Sequence, residues 1–82
     1  MPMSELPLAE RIARVLAGVS LSSNADGSNG SAAAEVDHSW KDHRNQALAV
    51  LRTMREPDHQ MAEAGDPRIW TRMVEAAIQD AE

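Results

Sequence analysis

The feature that most constrains this chain is the punctuation of its C-terminal third: Arg55-Glu56-Pro57, then Ala64-Gly65-Asp66-Pro67 ahead of Trp70. Proline pushes the residue before it out of the α region, so a helix arriving from the N-terminal side must stop by Glu56. Proline also suits the first turn of a new helix, where its missing N–H leaves no bond unmade. Glycine suits a helix end, and an aspartate before a proline suits the next start. The stretch therefore encodes helix, break, short helix, break, helix, and no chemistry lies in the breaks.

The rest of the chain follows from apolar spacing. Ser4 reads as an N-cap with Pro7 in the first turn. Leu8, Ile12, Val15, Leu16 and Val19 recur at helical intervals, which predicts a helix over 5–19 that frays at Gly18. Residues 20–34 hold Asp26-Gly27 and Asn29-Gly30 and no large apolar side chain except Leu21, which predicts a flexible polar loop covering at least 20–31. A second helix is predicted over 32–55. Its apolar face carries Val36, Trp40, His43, Ala47, Val50, Leu51 and Met54 on an arc of roughly 100°. Beside it Lys41, Arg44, Arg52 and Arg55 form a basic stripe roughly 80° wide. Pro57 opens a short helix over 57–64 with Met61 facing inward and Gly65 ending it. Asp66 and Pro67 start the last helix, 67–81, whose predicted buried side is Ile69, Trp70, Met73, Val74, Ala77 and Ile78. The fold class is all-α, one domain over 1–82: a small bundle of three main helices and a short fourth. The structural anchors are Trp40, Met54, Pro57, Gly65, Asp66, Pro67, Trp70 and Met73.

Such a bundle has a thin core. Leu, Ile, Val and Phe together supply 14 of 82 residues, below the roughly 20% at which disorder becomes a live question. Fourteen alanines favour helix, and five methionines and two tryptophans add volume. A partner, or a second copy of the chain, would supplement that core. Cysteine is absent, which excludes a disulfide framework, a thiolate nucleophile and cysteine-ligated metal. No run approaches 18 apolar residues, so no membrane span is expected. Without a secretory N-terminus, a cytoplasmic location is the expectation. The net charge of −5 disfavours non-specific nucleic-acid binding.

Candidate chemistry is sparse. The segment from Asp37 to His43 is the densest in titratable groups, but His38 and His43 diverge by roughly 140° on a helix. His38 and Asp42 share a face, and two ligands do not make a zinc site unless His59 adds a third. His43 lies on the apolar face, where it reads either as a pH sensor or as an ordinary ring packed beside Trp40 and Ala47 with one hydrogen bond. Residues 22–33 touch the calcium-loop pattern at Asn24, Asp26 and Gly27. The pattern then fails, because Ser22, Asn29 and Ala33 stand where it wants an acid, an apolar residue and a bidentate glutamate. Neither a nucleophile with its base nor a phosphate-binding glycine loop is present. Catalytic, cofactor and metal residues are therefore read as none.

Residues 40–78 resemble a group of short helical proteins of alphaproteobacteria and their phages. The resemblance rests on Trp40, Ala47, Leu51-Arg52-Thr53-Met54-Arg55-Glu56-Pro57, Met61, Ala64-Gly65, and Trp70, Met73 and Ala76-Ala77. It implies a shared helical fold and carries no activity. The functional expectation is a non-enzymatic interaction or accessory protein that binds another protein or itself. The alternatives are a nucleic-acid module using Lys41, Arg44, Arg52 and Arg55, and a metal-dependent enzyme around His38, Asp42 and His59.

Overall fold

The computed structural model describes the backbone of residues 3–24 and 32–82, and the side chains of 3–20 and 36–82. The described residues are all-α, with no strand among them. Helix α1 is Leu8–Asn24 and α2 is Ala32–Ser39. A 3₁₀ turn, Trp40–His43, leads into α3, Arg44–Met54. Helix α4 is His59–Ala64 and α5 is Pro67–Ala81. Helices α1, α3 and α5 meet around one core, while α2 and the 3₁₀ turn lie along α1.

Several boundaries differ from the expectation. Helix α1 begins at Leu8, not at residue 5. Ser4 Oγ accepts from the Leu6 amide at 3.1 Å in a local turn, and the Pro7 carbonyl accepts the Arg11 amide at 3.1 Å. Pro7 thus holds Leu6 out of the α region and places the helix start after itself. At its other end α1 passes through Gly18 and reaches Asn24, so residues 20–24 belong to the helix rather than to a loop. Gly18 faces α2: a Cβ there would lie 3.9 Å from Val36 Cγ2. Packing against α2 carries the helix past the residue expected to fray it. The remainder of the predicted loop, 25–31, with most of the calcium-like pattern, lies outside the described residues.

The predicted helix 32–55 is not continuous. As one α-helix its 24 residues would run about 36 Å. Instead the 3₁₀ turn tightens the chain at Trp40, where the larger angular step per residue resets the wheel. This lets α2 and α3 both lie against α1. Pro57 does not open α4. Asp58 is its N-cap, with Oδ1 accepting from the Met61 amide at 2.9 Å, so α4 starts at His59.

The core is built on alanine. Ala9, Ala13 and Ala17 form the buried seam of α1, and Ala47, Leu48 and Leu51 of α3 and Val74 and Ile78 of α5 are buried too. Of the seam, Ala9 packs in one cluster with Leu48, Leu51, Val74 and Ile78. Small side chains at every fourth position let the helices approach closely. The cost is that Leu51 is the single large side chain in this set that is fully enclosed. Val15 and Val19, expected in the α1 stripe, are 63% and 59% exposed, while Leu8, Ile12 and Leu16 are half-buried beside the alanines. The radius of gyration is 15.0 Å, against about 12 Å for a compact domain of this length. The molecule is long and thinly packed.

One contact sets the arrangement of the C-terminal half. The last carbonyls of an α-helix have no partner within it. At the end of α3, the Trp70 indole N–H donates to the Met54 carbonyl at 2.6 Å, and the Thr71 hydroxyl donates to the Arg55 carbonyl at 2.8 Å. Helix α5 thus caps α3 with side chains. The segment between them, including α4, is left as an excursion at the side.

Candidate functional site

The α4 excursion creates the most distinctive surface of the molecule. Asp58 and Asp66 act as N-caps on α4 and α5; Asp66 Oδ1 accepts from the Arg68 amide at 2.9 Å, with Pro67 in the first turn. Gly65 is an extended C-cap, and its amide donates to the Met61 carbonyl at 3.2 Å. Its φ of −164° is one any residue adopts, so the glycine is not needed for a left-handed turn. What it leaves is space: nothing lies within 4 Å of a Cβ placed there.

Between α4 and α5 lies an open apolar groove of about 380 Å³, lined by Pro57, Met61, Gly65, Ile69, Trp70 and Met73 among others. This corrects three sequence expectations. Met61 was expected to face inward, and Ile69 and Met73 to lie on the buried side of the last helix. They are 40%, 47% and 65% exposed. The buried side of α5 is Val74 and Ile78, with Trp70, Ala77 and Ala81 packed against the core. The physical reason is the length of α4. Six residues make a rod about 9 Å long, none of whose side chains is buried, too short to cover the second apolar face of α5. Helical periodicity identified Ile69 and Met73 as apolar and could not show that α1 and α3 cover one apolar face of α5 and leave the other to a helix too short to bury it.

The basic stripe is divided by the 3₁₀ turn. Lys41 Nζ and the Arg44 guanidinium stand 6.0 and 5.4 Å from the centroid of the Trp40 ring. Arg52 pairs with Glu82 at 3.3 Å, and Arg55 Nε donates to the Arg52 carbonyl at 3.4 Å. Cations over an indole face and exposed ion pairs each contribute about 1 kcal/mol or less. All four groups therefore have partners within the chain.

Sequence reasoning missed Arg14. Its guanidinium stands 5.3 Å from the Trp40 ring centroid, pairs with Glu10 at 2.8 Å, and bonds Asp37 across to α2. The bond to Asp37, then that to Glu10, raises its proton affinity further. The signal was the i,i+4 spacing of Glu10 and Arg14, which gives one pair but not the long-range partners.

Among the described residues, no three His, Asp or Glu side chains gather where they could hold a metal ion. His38, Asp42 and His59 are exposed. His43 is half-buried, its Nδ1 2.9 Å from Gln46 Oε1, rather than enclosed on an apolar face. No helix among the described residues is long and apolar enough to cross a membrane.

The groove, then, is the surface whose chemistry the fold leaves unfinished. The chain matches no protein-family model, no curated protein and no solved structure.

Proposed function

We propose that this protein is a small helical interaction module that docks protein through the α4–α5 groove. One observation carries the reading: Met61, Ile69 and Met73 present a contiguous apolar surface next to an anchored Trp70. Methionine is a flexible, polarisable side chain suited to adaptable binding surfaces, and apolar side chains along a groove are what an amphipathic helix seeks. The thin alanine core adds support, because the chain has little apolar surface to spare for an outward face. The resemblance of residues 40–78 to short phage-associated helical proteins fits an accessory role and adds no activity. The basic stripe supports nucleic-acid binding less well, since its cations are engaged with Trp40, Glu82 and a main-chain carbonyl.

The test is cross-linking in cells of the native host, with methionine replaced by its photoreactive diazirine analogue. Met3, which is 93% exposed, is the internal control. Protein adducts are expected to concentrate on Met61 and Met73. Adducts no more frequent there than at Met3 would remove the groove as a docking surface.

A further inference from the structure

The charges of α5 run against its own dipole. A helix favours carboxylates in its first turn and cations in its last. Helix α5 has neither: Arg68 and Arg72 occupy its N-terminal half, and Glu75 and Asp80 its C-terminal half. Within the chain these groups are weakly used. Arg68 lies 3.9 Å from Asp66 and is almost fully exposed, and no ion pair of Arg72, Glu75 or Asp80 is formed among the described residues.

This order becomes favourable when α5 meets an antiparallel copy of itself. A two-fold axis places residue i opposite residue j and j opposite i. The midpoint of Arg72 and Glu75 falls between positions 73 and 74, and the midpoint of Arg68 and Asp80 falls at 74. The two centres lie within about half a residue of each other, and Met73, the most exposed large apolar side chain of α5, sits beside them. The wheel agrees. Ile69, Met73 and Ala76 are exposed on a common arc of roughly 60°. Arg68, Arg72 and Glu75 lie within another roughly 60° on one flank of that arc, with Asp80 close to its middle. A two-fold axis perpendicular to an antiparallel pair brings the same flank of each helix together. Arg72 of each copy then meets Glu75 of the other, and Arg68 approaches Asp80.

We infer that the occupant of this face is a second copy of the chain, joined α5 to α5 in an antiparallel pair centred on Met73, with Arg72–Glu75 pairs across the axis. The inference rests on the docking reading above and narrows it to one partner. A single helix pair with the flanking Met61 covers less than the roughly 1,600 Å² of a standard interface. Association is therefore expected between about 1 µM and about 1 mM.

Sedimentation equilibrium of the full chain over that range tests it, using wild type, Arg72→Glu and Glu75→Arg. Both substitutions are at exposed positions and leave the core untouched. Wild type should dimerise, with added salt weakening it. Each single variant should lose at least tenfold in association, since the axis repeats the like-charge contact twice. An equimolar mixture of the two variants should recover it, because the opposite charges then face each other at both places. A wild type monomeric at about 1 mM, a dimer indifferent to Arg72→Glu, or a mixture that fails to recover would overturn the pairing. If the chain stays monomeric while Met61 and Met73 cross-link to a different protein, self-pairing falls and the docking reading stands. Without preferential adducts at those methionines, the docking reading fails as well.

Discussion

Replacing Trp70 with phenylalanine isolates the contact that positions α5. The substitution keeps an aromatic ring against the core and removes the indole N–H that reaches the Met54 carbonyl at 2.6 Å. A hydrogen bond of this kind contributes about 0.5–1.5 kcal/mol net, and an acceptor left bare in a partly buried place costs about as much again. The groove beside Trp70 is open, so water recovers part of that second loss. The smaller ring gives up a further fraction of buried area, about 0.5 kcal/mol at ~25 cal/mol per Å². The sum is about 1.5–2.5 kcal/mol, which in a domain of this length lowers Tm by roughly 6–20 °C. Trp40→Phe is the matched control, because Trp40 contributes a ring face to Arg14, Lys41 and Arg44. It should cost about 1 kcal/mol or less, the scale of exposed cation–π contacts. Urea and thermal unfolding followed by circular dichroism measure both. Equal costs for the two substitutions would refute the argument that the indole N–H is what ties α5 to the end of α3.

Three further outcomes follow from the packing. Gly18→Ala should stabilise by about 0.5–1 kcal/mol, because the position is helical and the new methyl meets Val36 at ordinary contact distance; a lower Tm would contradict this. Ala13→Leu should destabilise by about 1–3 kcal/mol or more, since Ala13 is wholly enclosed and a larger side chain must push α1 away from its neighbours. An unchanged urea midpoint would show that the alanine seam is not tight. Asp66→Ala should cost about 1 kcal/mol through loss of the bond accepted from the Arg68 amide, and Asp66→Asn should restore most of it.

What could be read in the sequence divides along a physical line. The helix class, the break at Pro57 and the Asp66-Pro67 start of α5 were legible, because they depend on the local chemistry of proline and of a capping aspartate. The 3₁₀ turn at Trp40–His43 was not, because no residue there forbids an α-helix and packing against α1 decides the matter. Nor was the continuation of α1 beyond Gly18, where contact with α2 outweighs a weak local preference. The groove was hidden for the same reason. Periodicity finds apolar residues such as Ile69 and Met73, but whether a neighbour covers them depends on how far α4 reaches. The side-chain capping of α3 by Trp70 and Thr71 joins residues 16 positions apart, a separation that spacing rules do not address. Lys41, Arg44, Arg52 and Arg55 are visible in the sequence as a stripe of cations. Their partners came only with the fold.

The central claim is that Met61 and Met73 stand exposed on a face made to be covered by protein. Methyl resonances of ¹³C-labelled methionine read this directly as the concentration rises from about 10 µM to about 1 mM. The expected result is that Met61 and Met73 shift progressively while Met3 and Met54 hold still, and that Arg72→Glu abolishes the shifts. Methionine signals that stay constant across the whole range, together with no preferential photo-cross-links at Met61 and Met73, would contradict it.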